Sequence, residues 1–419
     1  MIKTVIPSFR HLRAFQVVAE RQSVNAAAAA INLSQPAVTH LIANLDANFD
    51  ATLFERRHDG SYLTEFGRIL LVRTDRLFAT VENALRMLLG TPESELSTFS
   101  ALATKITVSQ IRSLIAVSEN ASFEQAARFL DVSQPTVQRA ARDLEKLLRR
   151  SLFRRGAGGI TTTSDGIELA RRMKLAMQEL DYARDEINAK KGIVTSLIRI
   201  GTLASSGSIL LTRALHELLK RYPQIEIRIV EQPYERLLAD LRAGDIDFLL
   251  SVLRKPAWAV DVAEKELFRD PYVVAVRRGH PLLRKRIVNR EDLREFDWIL
   301  PGRSTPRYLA FKRLFPSAEG SPTVRVETAS RSILRSLLAM SNQITLLTQH
   351  EARFEEEFGV LSALPFDPKL PQHVYGVATR AEWKPTSAQS EFMALLSTLS
   401  REFGKSRGAA VRMDEFSYS

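Results

Sequence analysis

The chain carries an internal repeat. The stretch Ser34–Val38 returns with a single change as Ser133–Val137, 99 positions later, and residues 9–67 align with residues 108–166 without a gap. A repeat of this length constrains the fold more strongly than composition does, because both copies must build the same unit. The architecture of that unit can be derived from the second copy.

The second copy has the pattern of three short helices. Within residues 108–117, apolar residues recur at the spacing of one helix face. Ser122 is a suitable N-cap for a second helix, and Ser133 is one for a third helix that has Pro135 in its first turn. This spacing predicts a helix-turn-helix, in which the last helix enters the major groove of DNA. Three-helix units also occur as plain bundles, but two copies in register favour DNA binding.

The third helix of each copy has polar side chains that can read base edges. Gln favours adenine and Arg favours guanine, and the second copy has both types, whereas the first copy has His40 in place of Arg139. Because phosphate neutralisation supplies much of DNA affinity, we expect the second copy to bind more strongly. The first copy either reads bases or has a structural role, and His40 is equally well explained as an exposed helix residue. The candidate contacts are Ser34, Gln35, Pro36, Thr39 and His40, and then Ser133, Gln134, Pro135, Thr136, Gln138, Arg139 and Arg142.

A wing and a long helix follow each helix-turn-helix. Leu53-Phe54 and Leu152-Phe153 are suited to anchor the two wings, whose tight turns are supplied by glycine-containing stretches. Basic residues at the base of the wings suit phosphate contact. These residues are Arg56, Arg57, Arg154 and Arg155. The long helices are predicted at about 65–89 and 164–190.

Composition limits the class of protein. The chain has no cysteine, which excludes disulfides and thiolate metal sites, and its net charge of +11 favours polyanionic partners. No apolar run approaches the roughly 18 residues of a membrane span, and the N-terminus lacks the apolar stretch of a signal peptide. We therefore expect a soluble cytoplasmic protein, associated with the nucleoid and not with a membrane.

The C-terminal half alternates between strands and helices. Strands are predicted at residues 197–201, 225–230, 248–252, 272–276, 298–300, 324–327, 344–347 and 374–378. This alternation predicts an α/β domain with parallel sheets, long enough for two lobes.

Ligands of such sheets bind beyond the carboxyl ends of the strands. Hydroxyl groups and free backbone N–H groups at these ends suit a small polar or anionic ligand, although each residue taken singly is better explained as a helix cap. The candidates are Ser205, Ser206, Arg303, Ser304, Thr305 and Thr328. No set of catalytic residues, metal ligands or cofactor-binding residues stands out.

These motifs resemble the LysR-type transcriptional regulators, with the N-terminal module duplicated. The likeness is carried by Ser122-Phe123, by residues 130–137, and in the C-terminal half by residues 241–247 and Gly279-His280-Pro281-Leu282. The resemblance implies an effector domain similar to periplasmic binding proteins of type 2. It also implies a small-molecule effector, for which residues 298–306 favour a sugar or a small organic acid, and homodimers or homotetramers. Family members normally have one DNA-binding module, so the tandem arrangement leaves the operator geometry open.

The predicted fold is therefore an α+β multidomain chain with two tandem winged helix-turn-helix domains and a two-lobed α/β effector domain. The domains are residues 5–64, 106–163 and 195–403, with linker helices at 65–89 and 164–192, a polar connector at 90–105 and a disordered tail at 404–419. Lobe I comprises about 195–270 and 375–403, and lobe II about 271–374. The predicted function is sequence-specific DNA binding controlled by an effector between the lobes.

Several alternatives stay open at this point. The protein could be a cytoplasmic solute-binding sensor whose N-terminal modules serve only oligomerisation, and an enzyme built on the α/β half is a second, weaker alternative. The two modules of one chain could pair through their long helices, or each module could pair with its counterpart on another chain.

Overall fold

The structure is a computed structural model that describes residues 6–90, 96–156, 159–193, 196–203, 208–254, 259–316 and 320–405. The chain divides into two compact units, Met1–Ser196 and Leu197–Ser419. Within the described ranges, none of the helices combines the length and the apolarity that crossing a lipid bilayer requires.

The first unit contains the two repeats, and each repeat is a three-helix module followed by a hairpin and a long helix. The elements of the first repeat are α1 (Phe9–Arg21), α2 (Val24–Ala30), α3 (Gln35–Phe49), β1 (Phe54–Arg57), β2 (Gly60–Leu63) and α4 (Glu65–Leu89). After α5 (Leu96–Lys105), the second repeat consists of α6 (Val108–Asn120), α7 (Phe123–Leu130), α8 (Gln134–Leu148), β3 (Phe153–Gly156), β4 (Gly159–Thr162) and α9 (Ser164–Lys190).

Repeated serines begin the helices of both modules. Ser122 accepts hydrogen bonds from the first-turn amides of α7, and Ser133 accepts one from the backbone N–H of Thr136 at 3.4 Å. Ser34 caps α3 in the same way, and both α3 and α8 have proline in the first turn. These caps satisfy amides that have no partner within the helix, which fixes where each helix begins.

A threonine and a glycine join each wing to its long helix. Thr64 and Thr163 cap α4 and α9 by accepting a hydrogen bond from the backbone N–H of Gly67 and Gly166. A Cβ atom on Gly67 would lie 2.2 Å from the carbonyl oxygen of Leu53, and one on Gly166 would lie 2.4 Å from its counterpart in the second repeat. Only glycine allows the backbone to approach so closely.

The two long helices pack against each other within the chain. Glu65 at the start of α4 contacts Lys190 at the end of α9, with 2.5 Å between the carboxylate oxygen and Nζ, so the helices are antiparallel. Residues of both modules and both long helices form one continuous hydrophobic core. Its members include Phe9, Phe15, Leu45, Leu77, Val81, Leu114, Leu144, Leu169, Met173 and Leu180.

The connector between the repeats differs from the prediction, since its second half is the helix α5. Phe99, Ala103 and Ile106 of this segment are buried in the shared core. Their spacing places the three side chains on one side of the segment. Arg13 of α1 also donates a hydrogen bond to Ser100 at 2.6 Å. The segment is therefore part of the packed unit and not simply a polar connector.

The second unit has the predicted alternation of strands and helices, with two additional strands. Its first elements are β5 (Leu197–Thr202), α10 (Ser208–Arg221), β6 (Glu226–Glu231), α11 (Tyr234–Ala243), β7 (Phe248–Val252), β8 (Val262–Asp270) and β9 (Tyr272–Arg277). After the 3₁₀ turn Pro281–Arg284 come α12 (Arg290–Arg294), β10 (Trp298–Leu300), α13 (Pro306–Leu314), β11 (Val324–Glu327) and α14 (Arg331–Met340). The last elements are β12 (Thr345–Thr348), α15 (Gln349–Glu357), β13 (Leu361–Ala363), β14 (His373–Arg380) and α16 (Ser387–Lys405). Residues 406–419, which hold most of the predicted disordered tail, lie outside the described residues.

The sheets are mixed and not wholly parallel. In lobe I the strand order is β6-β5-β7-β14-β8, in which β5 pairs in parallel with β6 and β7, whereas β14 is antiparallel to β7 and β8. In lobe II, β9 pairs antiparallel with β12 and β13, and β10 pairs in parallel with β11. The prediction of parallel sheets was therefore wrong for β8 and β14 of lobe I and for β9, β12 and β13 of lobe II. The alternation of helices and strands does not record that the chain crosses back to lobe I through β14.

Lobe II packs around Trp298, which is fully buried. Its indole Nε1 donates a hydrogen bond to the carbonyl of Leu293 at 3.2 Å, and its ring lies 5.0 Å from that of Phe311. This packing fixes the carboxyl end of β10 and the start of α13. Both segments line the cavity described below.

Candidate nucleic-acid interface and ligand pocket

The recognition helix of the second module is α8. Val137, Ala141 and Leu144 are buried beneath it. Arg139 and Arg142 are exposed, as are the residues at the N-terminus of the helix. The candidate contacts of this module are thus at the surface, with Gln138 half-buried. Their arrangement fits a helix that presents its N-terminal half and a row of cations to a polyanion.

The corresponding helix of the first module, α3, has a different surface. Gln35 and His40 are exposed, and the amide of Gln35 donates a hydrogen bond to the hydroxyl of Thr39 at 3.1 Å. Burial lowers the pKa of His11 on α1, and the neighbouring His40 and Arg10 lower it further. His11 is therefore neutral at pH 7, and α3 itself has no lysine or arginine. This surface offers hydrogen-bonding groups but little positive charge.

The wings also differ between the modules. Arg56 is exposed, whereas the guanidinium of Arg57 lies 3.3 Å from Glu55 and 5.0 Å from the ring centroid of Tyr62. Arg154 in the second wing is exposed and lies 3.4 Å from the hydroxyl of Thr161. The side chain of Arg155 lies outside the described residues.

A cavity of about 440 Å³ lies between the lobes of the second unit. Its size falls within the range of small-molecule sites in proteins. Lobe I contributes residues from the ends of β5, β6 and β7, and lobe II contributes those that follow β10 and β11. The lining residues include Leu203, Gln232, Tyr234, Arg254, Pro301, Ser304, Thr305, Arg307, Thr328, Arg331 and His373.

Three buried polar atoms of this cavity have no hydrogen-bond partner among the described residues. They are the hydroxyl of Tyr234, Nε of Arg254 and Nε of Arg307. Burial raises the pKa of Tyr234 to about 12, so its hydroxyl stays protonated and can donate. A buried polar group without a partner is costly, so three that line one cavity indicate a ligand that accepts hydrogen bonds.

Ion pairs hold the arginines of the cavity in place. Nη1 of Arg254 lies 3.0 Å from Glu235, and its guanidinium carbon is 4.0 Å from the ring centroid of Tyr234. Glu351 bridges Arg307 at 2.6 Å and Arg331 at 2.9 Å. These contacts use the outer nitrogens of Arg254 and Arg307, which leaves each Nε available for a ligand.

The structure places the predicted ligand contacts unevenly. Ser304, Thr305 and Thr328 line the cavity, whereas Arg303 is exposed and is not among the lining residues. The hydroxyl of Thr305 caps α13 and donates to the carbonyl of Gly302 at 2.7 Å, a turn that leaves Arg303 at the surface. Ser205 and Ser206 lie outside the described residues.

Sequence reasoning missed Tyr234, Arg254 and Arg307. Arg307 stands two residues after Thr305, and Tyr234 follows β6 as the other candidates follow their strands, so position gave a signal for both. Nothing in the sequence indicated that their polar atoms would lack partners. Among the described residues, no group of histidines and carboxylates is arranged to hold a metal ion.

Comparison with known proteins gives a consistent result for all three domains. Residues 9–68 and 108–167 each match the bacterial regulatory helix-turn-helix proteins of the lysR family, and residues 192–400 match the LysR substrate binding domain. The HTH-type transcriptional regulator GalR of Pseudomonas putida is 29% identical over 94% of this chain and 98% of its own length. The HTH-type transcriptional regulator PcaQ of Agrobacterium fabrum is 26% identical over 69% of this chain and 93% of its own. Both relatives are named as regulators and not as enzymes.

A solved structure supports the fold. A full-length OxyR variant from Pseudomonas aeruginosa superposes with a TM-score of 0.53 at 23% identity, covering 70% of this chain and 94% of that one. The predicted fold class, with helix-turn-helix modules before an effector domain, is confirmed.

Proposed function

Because this chain belongs to the LysR-type transcriptional regulators, with DNA-binding modules and an effector-binding domain, we propose that it binds its operator mainly through the second module and responds to a small organic acid held between the lobes. The three unpartnered donors of the cavity carry the second part of this proposal. Two guanidinium N–H groups and a phenol are a donor set that a carboxylate satisfies with charge-assisted hydrogen bonds.

The effector would act by shifting a population. The acid contacts both lobes, through Tyr234 and Arg254 on one side and Arg307 on the other, so it stabilises the arrangement of lobes in which these groups converge. A ligand shifts an equilibrium only by its difference in affinity for the two states. The two lobe arrangements must therefore differ in their distance between Arg254 and Arg307.

Titration calorimetry with matched compounds tests the effector class. Small carboxylic acids should bind, and neutral sugars of the same size should bind at least tenfold more weakly. A preference for the sugars would contradict the acid and favour a polyhydroxylated effector.

Two variants make this test specific to the site. Tyr234→Phe removes one hydroxyl that has no hydrogen-bond partner in the described part of the chain, so it should weaken acid binding about tenfold without loss of stability. Arg303→Ala, at the exposed neighbouring position, is the control and should bind the acid as the wild type does.

Binding to a genomic DNA pool at fixed salt tests the assignment of the modules. The double variant Gln134→Ala/Arg139→Ala should lose the specific sites, whereas Gln35→Ala/His40→Ala should lose fewer of them. Equal losses would show that both modules read bases to the same extent. A wild-type protein without sequence preference would contradict DNA reading and favour a sensor whose modules serve assembly.

We further propose that the chain works in the cytoplasm, on the nucleoid, as a homodimer or homotetramer. Membership of the family supports self-association, and light scattering of the full chain with and without the acid would measure it.

A further inference from the structure

The seam between the long helices contains a buried cation. Arg73 of α4 is fully buried, and Glu179, Tyr182 and Glu186 of α9 all contact it. Its guanidinium lies 2.8 Å from Glu179 and 2.7 Å from Glu186, and its carbon is 5.2 Å from the ring centroid of Tyr182. Burial works to lower the pKa of Arg73, but the hydrogen bonds that its guanidinium donates to the two carboxylates outweigh burial and leave the pKa raised.

The apolar part of the seam is close to symmetric. Gly67, Leu70 and Leu77 of α4 are buried at the positions that Gly166, Leu169 and Ala176 occupy in α9. An antiparallel pair with this pattern has an approximate twofold axis. Rotation about this axis places each buried residue of one helix on the equivalent position of the other helix. The apolar residues would therefore allow either long helix to pair with a second copy of itself.

The charged residues break that symmetry. The repeat places Thr80 of α4 where α9 has Glu179, Asn83 where it has Tyr182, and Met87 where it has Glu186. Helix α4 thus has a threonine, an asparagine and a methionine in the places of the three groups that hold Arg73.

Pairing of α4 with a second α4 would leave two buried arginines without counterparts of Glu179 and Glu186. The desolvation of an unpaired buried charge costs far more than the apolar contacts of one side chain contribute. Pairing of α9 with a second α9 would avoid this cost, but it would leave the two α4 helices to pair with each other. The pairing of α4 with α9 is the arrangement in which each buried arginine has its partners.

We infer that the seam specifies a heterotypic pair, so that a single chain forms the two-module DNA-reading unit that other members of the family build from two chains. The two modules then sit on neighbouring half-sites, about one helical turn of DNA apart. The half-sites must differ, because α8 has Arg139 and Arg142 where α3 has His40 and Ala43. The operator element of one chain is therefore predicted to lack a palindrome. The pairing of the helices stands without the proposed function, whereas the unequal half-sites rest on it.

Thiol cross-linking of the full chain tests the pairing without DNA. The chain has no cysteine, so a thiol reagent reacts only with the cysteines that are introduced. Glu65 and Lys190 meet across the seam, and both side chains are more than half exposed. Exposed ion pairs contribute little to stability, so Glu65→Cys/Lys190→Cys should fold as the wild type does. A short bis-maleimide should link the two positions within one chain, which leaves the mass on a denaturing gel at that of a single chain.

Placing the two cysteines on different chains shows which chain provides each helix of the pair. Two chains with different tags, one Glu65→Cys and the other Lys190→Cys, are co-expressed and treated in the same way. No linked band at the mass of two chains is expected. Such a band would overturn the inference, because it would place α4 of one chain against α9 of another. So would a double variant in which no link forms although both thiols react with a monofunctional maleimide.

A footprint of the linked double variant then tests the unequal half-sites. Protection of two different half-sites by one chain is expected. Protection of one half-site, or of two halves of a palindrome, would overturn that part of the inference while the cross-link result stands.

Discussion

Arg73 and Arg172 occupy the same position of the two long helices, but their surroundings differ. Arg73 is buried against carboxylates of the partner helix, whereas Arg172 is partly exposed and pairs with Glu168 of its own helix at 2.6 Å. Breaking a buried ion pair by removing one partner costs about 3 to 5 kcal/mol. An ion pair between residues four apart on a helix contributes only about 0.3 to 0.5 kcal/mol.

The two arginines therefore give a matched prediction. Arg73→Met should lower the free energy of unfolding of the first unit by about 3 kcal/mol, and Arg172→Met by about 0.5 kcal/mol or less. Urea unfolding of the full chain, followed by helical circular dichroism, measures both. Equal effects would show that the buried cluster does not select the pairing.

His373 gives a prediction about pH. In the unfolded chain it takes up a proton near its ordinary pKa of 6.5, whereas burial, together with Arg307, lowers the pKa in the folded protein to about 4. Between these values the unfolded state binds a proton that the folded state does not bind, so stability is lost as the pH falls from about 6.5 to about 4. The loss amounts to about 3 kcal/mol.

Comparison with His373→Gln isolates this contribution from that of the carboxylates. The free energy of unfolding of the wild type should fall more steeply between pH 6.5 and pH 4 than that of the variant. Parallel profiles for the two proteins would contradict the role of His373.

Among the elements, the caps of the long helices connect each wing to the seam. The hydroxyl of Thr163 accepts from Gly166 at 3.1 Å and donates to the carbonyls of Ser151 and Leu152. Thr163→Ala removes all three of these hydrogen bonds and should lower the free energy of unfolding by about 1 kcal/mol. Thr163→Ser keeps the hydroxyl and should stay within a few tenths of a kcal/mol of the wild type. Thermal unfolding of the three proteins measures these differences in stability. A serine variant as unstable as the alanine variant would rule out the cap.

The sequence predicted the repeated elements well because each has its own local signals. Ser34, Ser133 and the first-turn prolines mark helix starts in both copies, and α4 and α9 have long apolar faces. Helix α5 and strand β8 are examples of elements that lacked such signals. The segment that forms α5 follows a Gly-Thr-Pro stretch that reads as a connector, and only tertiary packing buries Phe99. Strand β8 lies at the edge of its sheet and contains three consecutive charged residues, Glu264, Lys265 and Glu266, so it lacks the apolar pattern that predicts a strand.

The residues of the ligand pocket also fall into two groups, those that the sequence could predict and those that it could not. Ser304, Thr305 and Thr328 could be found because they follow strands, and the carboxyl ends of strands are where such sheets bind ligands. Arg254 could not be found as a ligand contact, because its role depends on where Glu235 lies in three dimensions. Arg307 follows Thr305 closely, but its ion pair with Glu351, which leaves Nε available, could not be predicted from the sequence. The geometry of the cavity joins residues that are far apart in the chain.

On the scale of the whole molecule, the unequal charge of the modules predicts the salt dependence of DNA binding. Ala43 is exposed on α3 at the position that Arg142 occupies on α8. Each phosphate contact adds about 0.9 to the slope of log K against log salt. Ala43→Arg should therefore steepen the slope by about one, and Arg142→Ala should flatten it by about one. Fluorescence anisotropy over a salt series measures both. An unchanged slope for Ala43→Arg would show that α3 does not approach the phosphates.

The tether between the repeats has a consequence for gene control at low copy number. Two DNA-binding modules on separate chains dissociate from each other on dilution. Their joint occupancy of two half-sites therefore depends on the square of the protein concentration. Here residues 90–107 run from the end of α4 to the start of α6, and a short tether holds partners at an effective concentration on the order of millimolar. In a cell with few molecules of this regulator, the two DNA-binding modules of each chain therefore remain paired. Occupancy of one two-part site should accordingly rise in simple proportion to the number of chains.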